Sequence, residues 1–320
     1  MQRRSCKMCC LFGMIDLNQN FTGRQKSKLL HILATACEIR GTDATGIAYS
    51  AGGRIQVYKR PVPGHRLRLR IPDGTVAVMG HTRITTQGCE SRNYNNHPFK
   101  GQVNGHSFAL AHNGVLRNDK QLRIQEHLPA TNIETDSFVA VQLIQKQETL
   151  NLNSLTYMAE QVEGSFAFTV LDAKNNLYFV KGDNPLCIYY YPRIGLYLYA
   201  STEDILRNAL KRIPFVLEAP NKMQLDCGDI LQINANGKRQ MGNFNTDKLL
   251  HQSWTWWHNC WPNYSRFDVP VKKVDAQMEY IRELKMVAGY YGYTPGTIDA
   301  MLEDGFTPDD IESMLYAGEL

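Results

Sequence analysis

Cys9-Cys10-Leu11-Phe12-Gly13-Met14-Ile15-Asp16, near the start of this chain of 320 residues, places a thiol directly before an apolar segment. The apolar run predicts a short buried strand over 10–15. If the eight preceding residues are absent from the mature protein, the chain begins with a free α-amine on a cysteine. Such a residue combines a nucleophile and a base, because the pKa of an α-amine lies close to that of a thiol. Function therefore depends on whether Cys9 is that residue.

The composition is that of an ordinary globular protein and argues against several classes of function. A formal net charge of +4, from 35 basic and 31 acidic residues, is too small to indicate a nucleic-acid partner. The densest basic run, 59–70, is interpreted as a solvated face rather than as a site for a phosphate-bearing acceptor. No segment approaches the ~20 apolar residues of a membrane helix. The sequence therefore predicts neither a nucleic-acid nor a membrane partner.

Two features of the sequence indicate a cytoplasmic protein. Residues 1–7 are basic, but the apolar run after them is short and makes a poor secretory signal. The eight cysteines lie at irregular positions and do not suggest the disulfide framework of a small secreted domain. We therefore expect a reducing environment and free thiols.

Hydrophobic periodicity predicts strands in hairpin-like runs, with helices grouped between them. This pattern differs from a regular alternation of strand and helix, so an α+β layered domain is favoured. Beyond the first strand, the predicted strands are 45–50, 55–59, 75–79, 106–111, 166–171, 177–180, 187–191, 196–200 and 228–233. The predicted helices of this region are 24–39, 118–127, 135–146, 153–162 and 202–210.

The composition changes near residue 250. Residues 251–264 contain all four tryptophans without a clean period, which is interpreted as a packed connector, with an aromatic surface for a ligand or partner as the alternative. Beyond residue 270 only helices are predicted, over 274–288, 294–305 and 307–318. The predicted organisation is an upstream extension (1–8), a main domain (9–245), a connector (246–270) and a small helical module (271–320).

Four polar clusters stand out beside the first cysteines. Taken singly, each has a local structural explanation: Asn113-Gly114 is a strong turn dipeptide, and Asp136 suits the first turn of a helix. Only in combination do they suggest one site. The clusters are Arg40–Gly46, Gly80–Gly88, Ala111–Gly114 and Thr135–Ser137.

Together the clusters fit recognition of an amino acid with a side-chain amide. The planar guanidinium of Arg83 suits a substrate carboxylate, and the carboxylate of Asp136 suits an ammonium group. Attack of a thiolate on an amide places negative charge on oxygen, to which the Asn113 amide and the Gly114 N–H, expected in a tight turn, are able to donate. The pattern indicates hydrolysis of the γ-amide of glutamine through a γ-glutamyl thioester, with release of ammonia.

The order and spacing of these blocks resemble those of class II glutamine amidotransferases, which are N-terminal-nucleophile hydrolases. The resemblance covers residues 9 to about 235 and is strongest to the glutaminase half of amidophosphoribosyltransferases. Cys9–Gly13 lies over the family opening C-G-I-F-G, which selects Cys9 rather than Cys10 as the nucleophile. The other blocks are Arg40–Gly46 (RG-x-D-x-x-G), Gly80–Arg83 (GHTR), Asn96–Phe99, Leu110–Gly114 (LAHNG), Thr135–Ser137 (TDS), Gly164–Phe168 and Ala200–Glu203.

The resemblance implies a four-layer αββα sandwich, L-glutamine as substrate, and neither a cofactor nor a metal. The chain departs from the family at Ile84, where an aromatic residue is common, and at Cys10, where glycine is usual. The implied roles are nucleophile for Cys9, with its own amine as base; glutamine binding for Arg83, Thr86 and Asp136; the oxyanion hole for Asn113 and Gly114; and support for Arg40 and His112.

Both ends of the chain bear on how such a domain would work. In the full 1–320 form the nitrogen of Cys9 is an amide, so we predict that this form is inactive. Cleavage of a pro-segment, or initiation at Met8 with methionine removal, would expose Cys9 equally well. About 85 residues follow the glutaminase unit, fewer than a typical domain of ~100–150, and they contain no phosphate-cradling glycine-rich loop. We therefore expect a separate synthetase partner that accepts the ammonia; a homo-oligomer is left open.

Two other functions remain open on the sequence alone. One is an N-terminal-nucleophile amidohydrolase that acts on another γ-glutamyl or acyl amide. Arg83 and Asp136 disfavour it for substrates without a free amino-acid head. The other is a catalytically inactive scaffold that binds a partner through its helical tail.

Overall fold

The computed structural model describes residues 9–215, 217–249, 281, 284–285, 288–289 and 292–317. The chain divides into two compact units, one over Lys7–Leu250 and one that includes His251–Leu320. The extension over 1–8, most of the connector over 246–270 and most of the helix predicted over 274–288 lie outside the described residues. The predicted domain boundaries therefore stay predictions.

The first β-sheet of the larger unit has seven strands, and every neighbouring pair is antiparallel. Its strands are β1 (Cys10–Asp16), β2 (Ala44–Ala51), β3 (Arg54–Arg60), β4 (Ala77–Arg83), β9 (Cys187–Tyr191), β10 (Leu196–Ala200) and β11 (Asn221–Met223). Their order is β11-β9-β10-β1-β4-β2-β3, which places β1 at the centre.

The second sheet has six strands, also antiparallel, and helices accompany both sheets. Its strands are β5 (Phe99–Val103), β6 (His106–Leu116), β7 (Gly164–Asp172), β8 (Leu177–Lys181), β12 (Asp229–Ile233) and β13 (Arg239–Asn243). Their order is β13-β12-β8-β7-β6-β5. The helices are α1 (Gly23–Cys37), α2 (Asp119–Gln125), α3 (Phe138–Lys146), α4 (Leu152–Gln161) and α5 (Glu203–Leu210).

Three apolar cores separate four layers of secondary structure. Leu33 of α1 and Phe12 of β1 belong to the core between helices and the first sheet. Leu11 of β1 and Ala111 of β6 belong to the core between the two sheets. Leu155 of α4 belongs to the core that covers the outer face of the second sheet. This arrangement is the four-layer αββα sandwich, and it confirms the predicted fold class.

The central strand β1 has apolar residues on both of its faces because both faces are buried. Successive side chains of a strand point to opposite sides. Cys10 and Phe12 accordingly lie in the helix-side core, whereas Leu11 and Ile15 lie in the core between the sheets. This explains why the segment reads as a continuous apolar run rather than as an alternation of apolar and polar residues.

Most predicted elements are confirmed, but four details were wrong. Strand β4 ends at Arg83, four residues later than predicted, and three short strands, β5, β11 and β13, were missed. Helix α3 begins after Ser137 rather than after Thr135, the residue predicted as its cap. Strand β6 continues through Leu116, so Asn113-Gly114 lies inside a strand and not in a tight turn. Pairing of β6 with β7 overrides the local turn preference of this dipeptide.

Two of the three helices predicted beyond residue 270 lie almost entirely within the described residues, and both are confirmed. They are α6 (Pro295–Glu303) and α7 (Pro308–Ala317). The Thr294 hydroxyl accepts a hydrogen bond from the backbone N–H of Thr297 at 3.3 Å, and the Thr307 hydroxyl accepts one from that of Asp310 at 3.2 Å. A threonine cap followed by proline therefore begins both helices.

A buried ion pair joins α1 to the end of β1. The Lys26 ammonium lies 3.1 Å from a carboxylate oxygen of Asp16, and neither residue is exposed. Lys26 also donates to the carbonyl of Thr75 at 2.5 Å and to the side chain of Gln19 at 3.0 Å. Asp16 accepts from two backbone N–H groups at 3.1 Å. The charges are thus paired and bonded on all sides, the condition under which a buried pair is tolerated.

Lys26→Met is expected to lower the free energy of unfolding by about 3–5 kcal/mol, because it leaves the Asp16 carboxylate buried without its counter-ion. Urea unfolding followed by circular dichroism measures this change. The matched control is Lys28→Met, at an exposed position two residues further along α1. The control is expected to change the free energy of unfolding by no more than about 0.5 kcal/mol. Equal effects of the two substitutions would contradict a structural role for the pair.

Candidate active site

Cys9 lies immediately before β1 and is nearly buried, with 9% of its surface exposed. Its thiol donates to the backbone carbonyl of Ile84 at 3.5 Å, and the Arg40 guanidinium donates from Nε to the carbonyl of Cys9 at 3.2 Å. Burial raises the pKa of the Cys9 thiol to about 11, although the hydrogen bond to Ile84 and the charge of Arg83 oppose the shift. The thiol is therefore protonated at neutral pH and needs a base to become a nucleophile.

Cys10 points away from this site. Its sulfur lies 3.1 Å from the sulfur of Cys37, the last residue of α1, in the helix-side core. The alternation of side chains along β1 thus separates the two adjacent thiols. The Cys9 thiol interacts electrostatically with both Arg83 and Asp136, whereas the charge that lowers the pKa of the Cys10 thiol is that of Arg40.

Arg83 is the last residue of β4, and its guanidinium is held from two sides. Nη1 donates to the Asn96 side-chain oxygen at 2.8 Å, while Nη2 donates to the carbonyls of Gln87 at 2.5 Å and Gly88 at 3.2 Å. A guanidinium has five N–H donors, so two remain for a ligand. Asn96 begins one of the blocks on which the family resemblance rests, and the structure places its side chain directly against Arg83.

Asp136 is a buried carboxylate at the entry to α3. One oxygen accepts from the backbone N–H of Leu116 at 2.6 Å, and the other accepts from the hydroxyl of Ser137 at 3.2 Å. Burial raises the pKa of Asp136, while these hydrogen bonds and the charge of Arg83 act in the opposite direction. The carboxylate of Asp136 is therefore fixed by two groups, the N–H of Leu116 at the end of β6 and the hydroxyl of Ser137 at the start of α3.

Asn113 and Gly114 lie side by side in β6. Both polar atoms of the buried Asn113 side chain lack a hydrogen-bond partner among the described residues. Gly114 has a φ of +144°, and a Cβ there would lie 1.9 Å from the carbonyl oxygen of Ser165. Only glycine fits this backbone, because both its φ and its closeness to β7 exclude a side chain.

Three buried histidines extend from the site into the interior. The ring centroids of His81 and His97 lie 4.2 Å apart. Nε2 of His81 is 2.9 Å from the carbonyl oxygen of His112. Nδ1 of His112 is 2.8 Å from the hydroxyl of Ser137, beside Asp136. Burial lowers the pKa of His81 and of His112 to about 3. These rings are therefore neutral at physiological pH and support the site by packing and hydrogen bonding.

Acid is expected to destabilise the fold through these rings. In the unfolded chain each ring takes up a proton as the pH falls below about 6.5, whereas folded His81 and His112 do so only near 3. The free energy of unfolding therefore falls as the pH falls through this window, by about 2 kcal/mol per ring at pH 5.

Urea unfolding at pH 7 and pH 5 measures the effect, and the matched variant is His97→Phe. Neither nitrogen of His97 has a hydrogen-bond partner within the described residues, and burial lowers its pKa as well. The variant is expected to lose less stability on acidification than the wild type. A pH dependence that is the same in both proteins would contradict this assignment.

The structure brings most predicted site residues together. Cys9 interacts electrostatically with Arg40, Arg83 and Asp136. Thr86, the remaining residue predicted to bind glutamine, is exposed, unlike the buried Arg83 and Asp136. It makes no hydrogen bond among the residues that the structure describes. Sequence reasoning missed Asn184, whose side-chain amide donates to the carbonyl of Asn113 at 2.9 Å. No local pattern marks Asn184, because its contact spans 71 positions of the chain.

Two further classes of site are not found in the described part of the chain. No group of three or more histidine, cysteine, aspartate or glutamate residues there has the arrangement needed to hold a metal ion. No helix there is long and apolar enough to cross a membrane.

Comparison with known proteins relates this geometry to a family. Residues 81–208 match the glutamine amidotransferase domain, a range that contains Arg83, Asn113, Gly114 and Asp136 and begins after Cys9. The glutamine–fructose-6-phosphate aminotransferase (isomerizing) of Bacillus thuringiensis subsp. konkukian is 34% identical over 192 residues, which cover 57% of this chain and 30% of that protein. Its counterpart from Sulfurisphaera tokodaii is 32% identical over 195 residues, covering 57% and 31%. The chain thus spans under a third of the length of these curated relatives.

Solved structures share the fold. The glutamine phosphoribosylpyrophosphate amidotransferase from B. subtilis, complexed with ADP and GMP, superposes with a TM-score of 0.59 at 19% identity, covering 88% of this chain and 58% of that one. A solved structure of the allosteric regulatory enzyme of purine biosynthesis superposes with a TM-score of 0.60 at 18% identity, with the same coverage. Together with the match over residues 81–208 and the sequence relatives, this shared fold confirms the predicted resemblance of the chain to class II glutamine amidotransferases.

Proposed function

We propose that this domain hydrolyses the γ-amide of L-glutamine to glutamate and ammonia, with Cys9 as the nucleophile once it is the first residue. One observation carries the proposal. The Cys9 thiol interacts with the buried cation of Arg83 and the buried anion of Asp136. A thiol that feels two opposite charges suits a substrate with a carboxylate and an ammonium group at one end and a reactive amide at the other.

Glutamine binding is assigned to the opposite charges at the site. The Arg83 guanidinium would bind the α-carboxylate through an N–H donor that the bonds to Asn96, Gln87 and Gly88 leave unused, with Thr86 assisting. The Asp136 carboxylate, which keeps unused acceptor positions beside its two bonded ones, would bind the α-ammonium group. Arg40 would hold the carbonyl of Cys9, and His112 would hold Ser137 next to Asp136.

The chemistry proceeds in two halves. The free α-amine of Cys9 takes the thiol proton, and the thiolate attacks the carbonyl carbon of the γ-carboxamide, so that a C–S bond forms and the carbonyl oxygen becomes negative. The Asn113 amide and the Gly114 N–H donate to that oxygen. The C–N bond then breaks, ammonia leaves with the proton from the amine, and a γ-glutamyl thioester remains. Water, deprotonated by the same amine, hydrolyses the thioester to glutamate.

The test uses the chain that begins at Cys9, confirmed by intact mass, and the 1–320 form beside it. Incubation with L-glutamine is expected to release glutamate and ammonia in equal amounts from the first form only. γ-Glutamyl peptides and N-acyl amino acids form the comparison panel. No release of glutamate by a chain with a confirmed free Cys9 would overturn the proposal. Faster hydrolysis of another amide would assign a different substrate.

We further propose that the ammonia passes to a synthetase on a separate polypeptide and that the protein is cytoplasmic. The relatives named glutamine–fructose-6-phosphate aminotransferases support transfer of the amide nitrogen to an acceptor. The six cysteines of the described residues are all free, which supports a reducing compartment. Purification of the natural complex, with ammonia release compared before and after partner removal, tests the transfer.

A further inference from the structure

Asn184 is a buried side chain that contacts the backbone of the proposed oxyanion hole from behind. It lies in the connection that follows β8, and only 3% of its surface is exposed. Its side-chain nitrogen Nδ2 donates to the carbonyl oxygen of Asn113 at 2.9 Å. A Cβ placed on Gly114 would lie 2.6 Å from the same nitrogen. Asn184 therefore packs directly against both residues of the hole.

The carbonyl of Asn113 and the N–H of Gly114 belong to one peptide group. A peptide group is planar, and in the trans form its C=O and N–H point in opposite directions. A hydrogen bond that holds the carbonyl at one end therefore also sets the direction of the N–H at the other end. The restraint is needed at Gly114 because glycine allows the adjoining peptide plane a wider range of rotation than any other residue.

Asn184 is itself held on the strand that pairs with Gly114. Its backbone N–H donates to the carbonyl of Phe166 at 3.3 Å. The carboxylate of its neighbour Asp183 accepts from the N–H of Phe166 at 2.9 Å. Phe166 lies opposite Gly114 in the register of β6 and β7. The amide of Asn184 is thus fixed to the same framework as the peptide group that it contacts.

We propose that Asn184 is a positioning residue that aims the Gly114 N–H at the oxygen on which negative charge develops. This inference rests on the proposed function. The charge is larger in the tetrahedral transition state than in the bound amide, so a misdirected N–H weakens the transition state more than the substrate complex. Loss of Asn184 would therefore lower kcat and leave KM for glutamine nearly unchanged.

The test compares Asn184→Ala and Asn184→Ser with the wild-type chain that begins at Cys9. Alanine removes the donor, and kcat is expected to fall on the order of ten- to a hundredfold, less than the loss typical of deleting an oxyanion-hole donor itself. Serine keeps a shorter donor and is expected to recover part of kcat. Both variants are expected to keep KM within about twofold of the wild type.

A second readout separates positioning from general damage to the fold. Glutamate γ-semialdehyde adds to the thiol to form a tetrahedral adduct, and its affinity for Asn184→Ala is expected to fall in parallel with kcat. Glutamate, which forms no such adduct, is expected to bind equally to both proteins. The matched control is Asn118→Ala, because Asn118 is also nearly buried and its amide donates to the carbonyl of Gln161 at 2.9 Å. This control is expected to lower stability and leave kcat unchanged.

Three results would overturn the inference. The first is an unchanged kcat in Asn184→Ala. The second is an equal loss of activity in Asn118→Ala, which would indicate general loosening of the fold. The third is equal weakening of aldehyde and glutamate binding, which would indicate a damaged glutamine site. An inactive wild-type chain with a confirmed free Cys9 is a different result, because it would overturn the proposed function itself.

Discussion

Cys9→Ala, made in the chain that begins at this residue, is expected to abolish glutamine hydrolysis, with kcat falling by at least about a thousandfold. The substitution removes the sulfur that would form the thioester, and alanine fits the nearly buried position without strain. The measurement is glutamate release from L-glutamine, together with mass spectrometry after a glutamine-like electrophile. Wild-type protein is expected to gain one adduct at Cys9, and the variant none.

The neighbouring thiol offers a matched control for this prediction. Cys10 lies one residue away but contacts Cys37 in the helix-side core. Cys10→Ala is therefore expected to keep kcat within a few-fold and to lower the free energy of unfolding by about 1 kcal/mol, since it removes a buried sulfur. Activity that survives in Cys9→Ala and disappears in Cys10→Ala would show that the nucleophile has been assigned to the wrong cysteine.

Asp136→Asn is expected to raise KM for L-glutamine by about a hundredfold, because a charged hydrogen bond to the α-ammonium group is worth up to about 3 kcal/mol. The variant has the same shape as the wild type and keeps an oxygen for the N–H of Leu116. Burial raises the pKa of the Asp136 carboxyl, so a neutral amide is easily accommodated at this position. Steady-state kinetics of glutamate release measure the change.

A substrate without the α-amino group tests the same contact from the other side. Glutaramate has the γ-amide and the carboxylate but no ammonium group, so its hydrolysis is expected to be weak and equal in the wild type and in Asp136→Asn. Glu134→Gln is the matched control, because Glu134 is an exposed carboxylate two residues earlier that pairs with Arg92. Equal changes of KM for glutamine and glutaramate in Asp136→Asn would contradict the assignment of this carboxylate to the ammonium group.

Much of the fold follows from local patterns in the sequence. The apolar run before Asp16 predicts β1 because every residue of this strand is buried, and the helical period over 24–39 predicts α1 because one face of this helix is buried. The missed strands β11 and β13 are short and largely exposed, so their residues carry little apolar signal. Strand β5 alternates clearly between buried and exposed residues but is only five residues long and contains glycine.

The chemical groups of the candidate site and the order of the blocks that hold them can be read directly from the sequence. Cys9, Arg83 and Asp136 could be selected because a thiol, a guanidinium and a carboxylate suit an amino-acid amide, whatever their exact positions. The two apolar faces of β1 and the helices around it likewise follow from periodicity over a few residues.

How these groups face one another depends on contacts between distant segments of the chain. Pairing of β6 with β7 keeps Asn113-Gly114 in a strand, although the dipeptide by itself favours a turn. The packing of β1 against α1 places Cys10 in the helix-side core, where its sulfur contacts that of Cys37. Asn184 reaches the carbonyl of Asn113 from 71 positions away. These three contacts have the same cause: packing, strand pairing and hydrogen bonds between distant segments fix the position of each group. The local sequence does not indicate which distant segment will lie beside it.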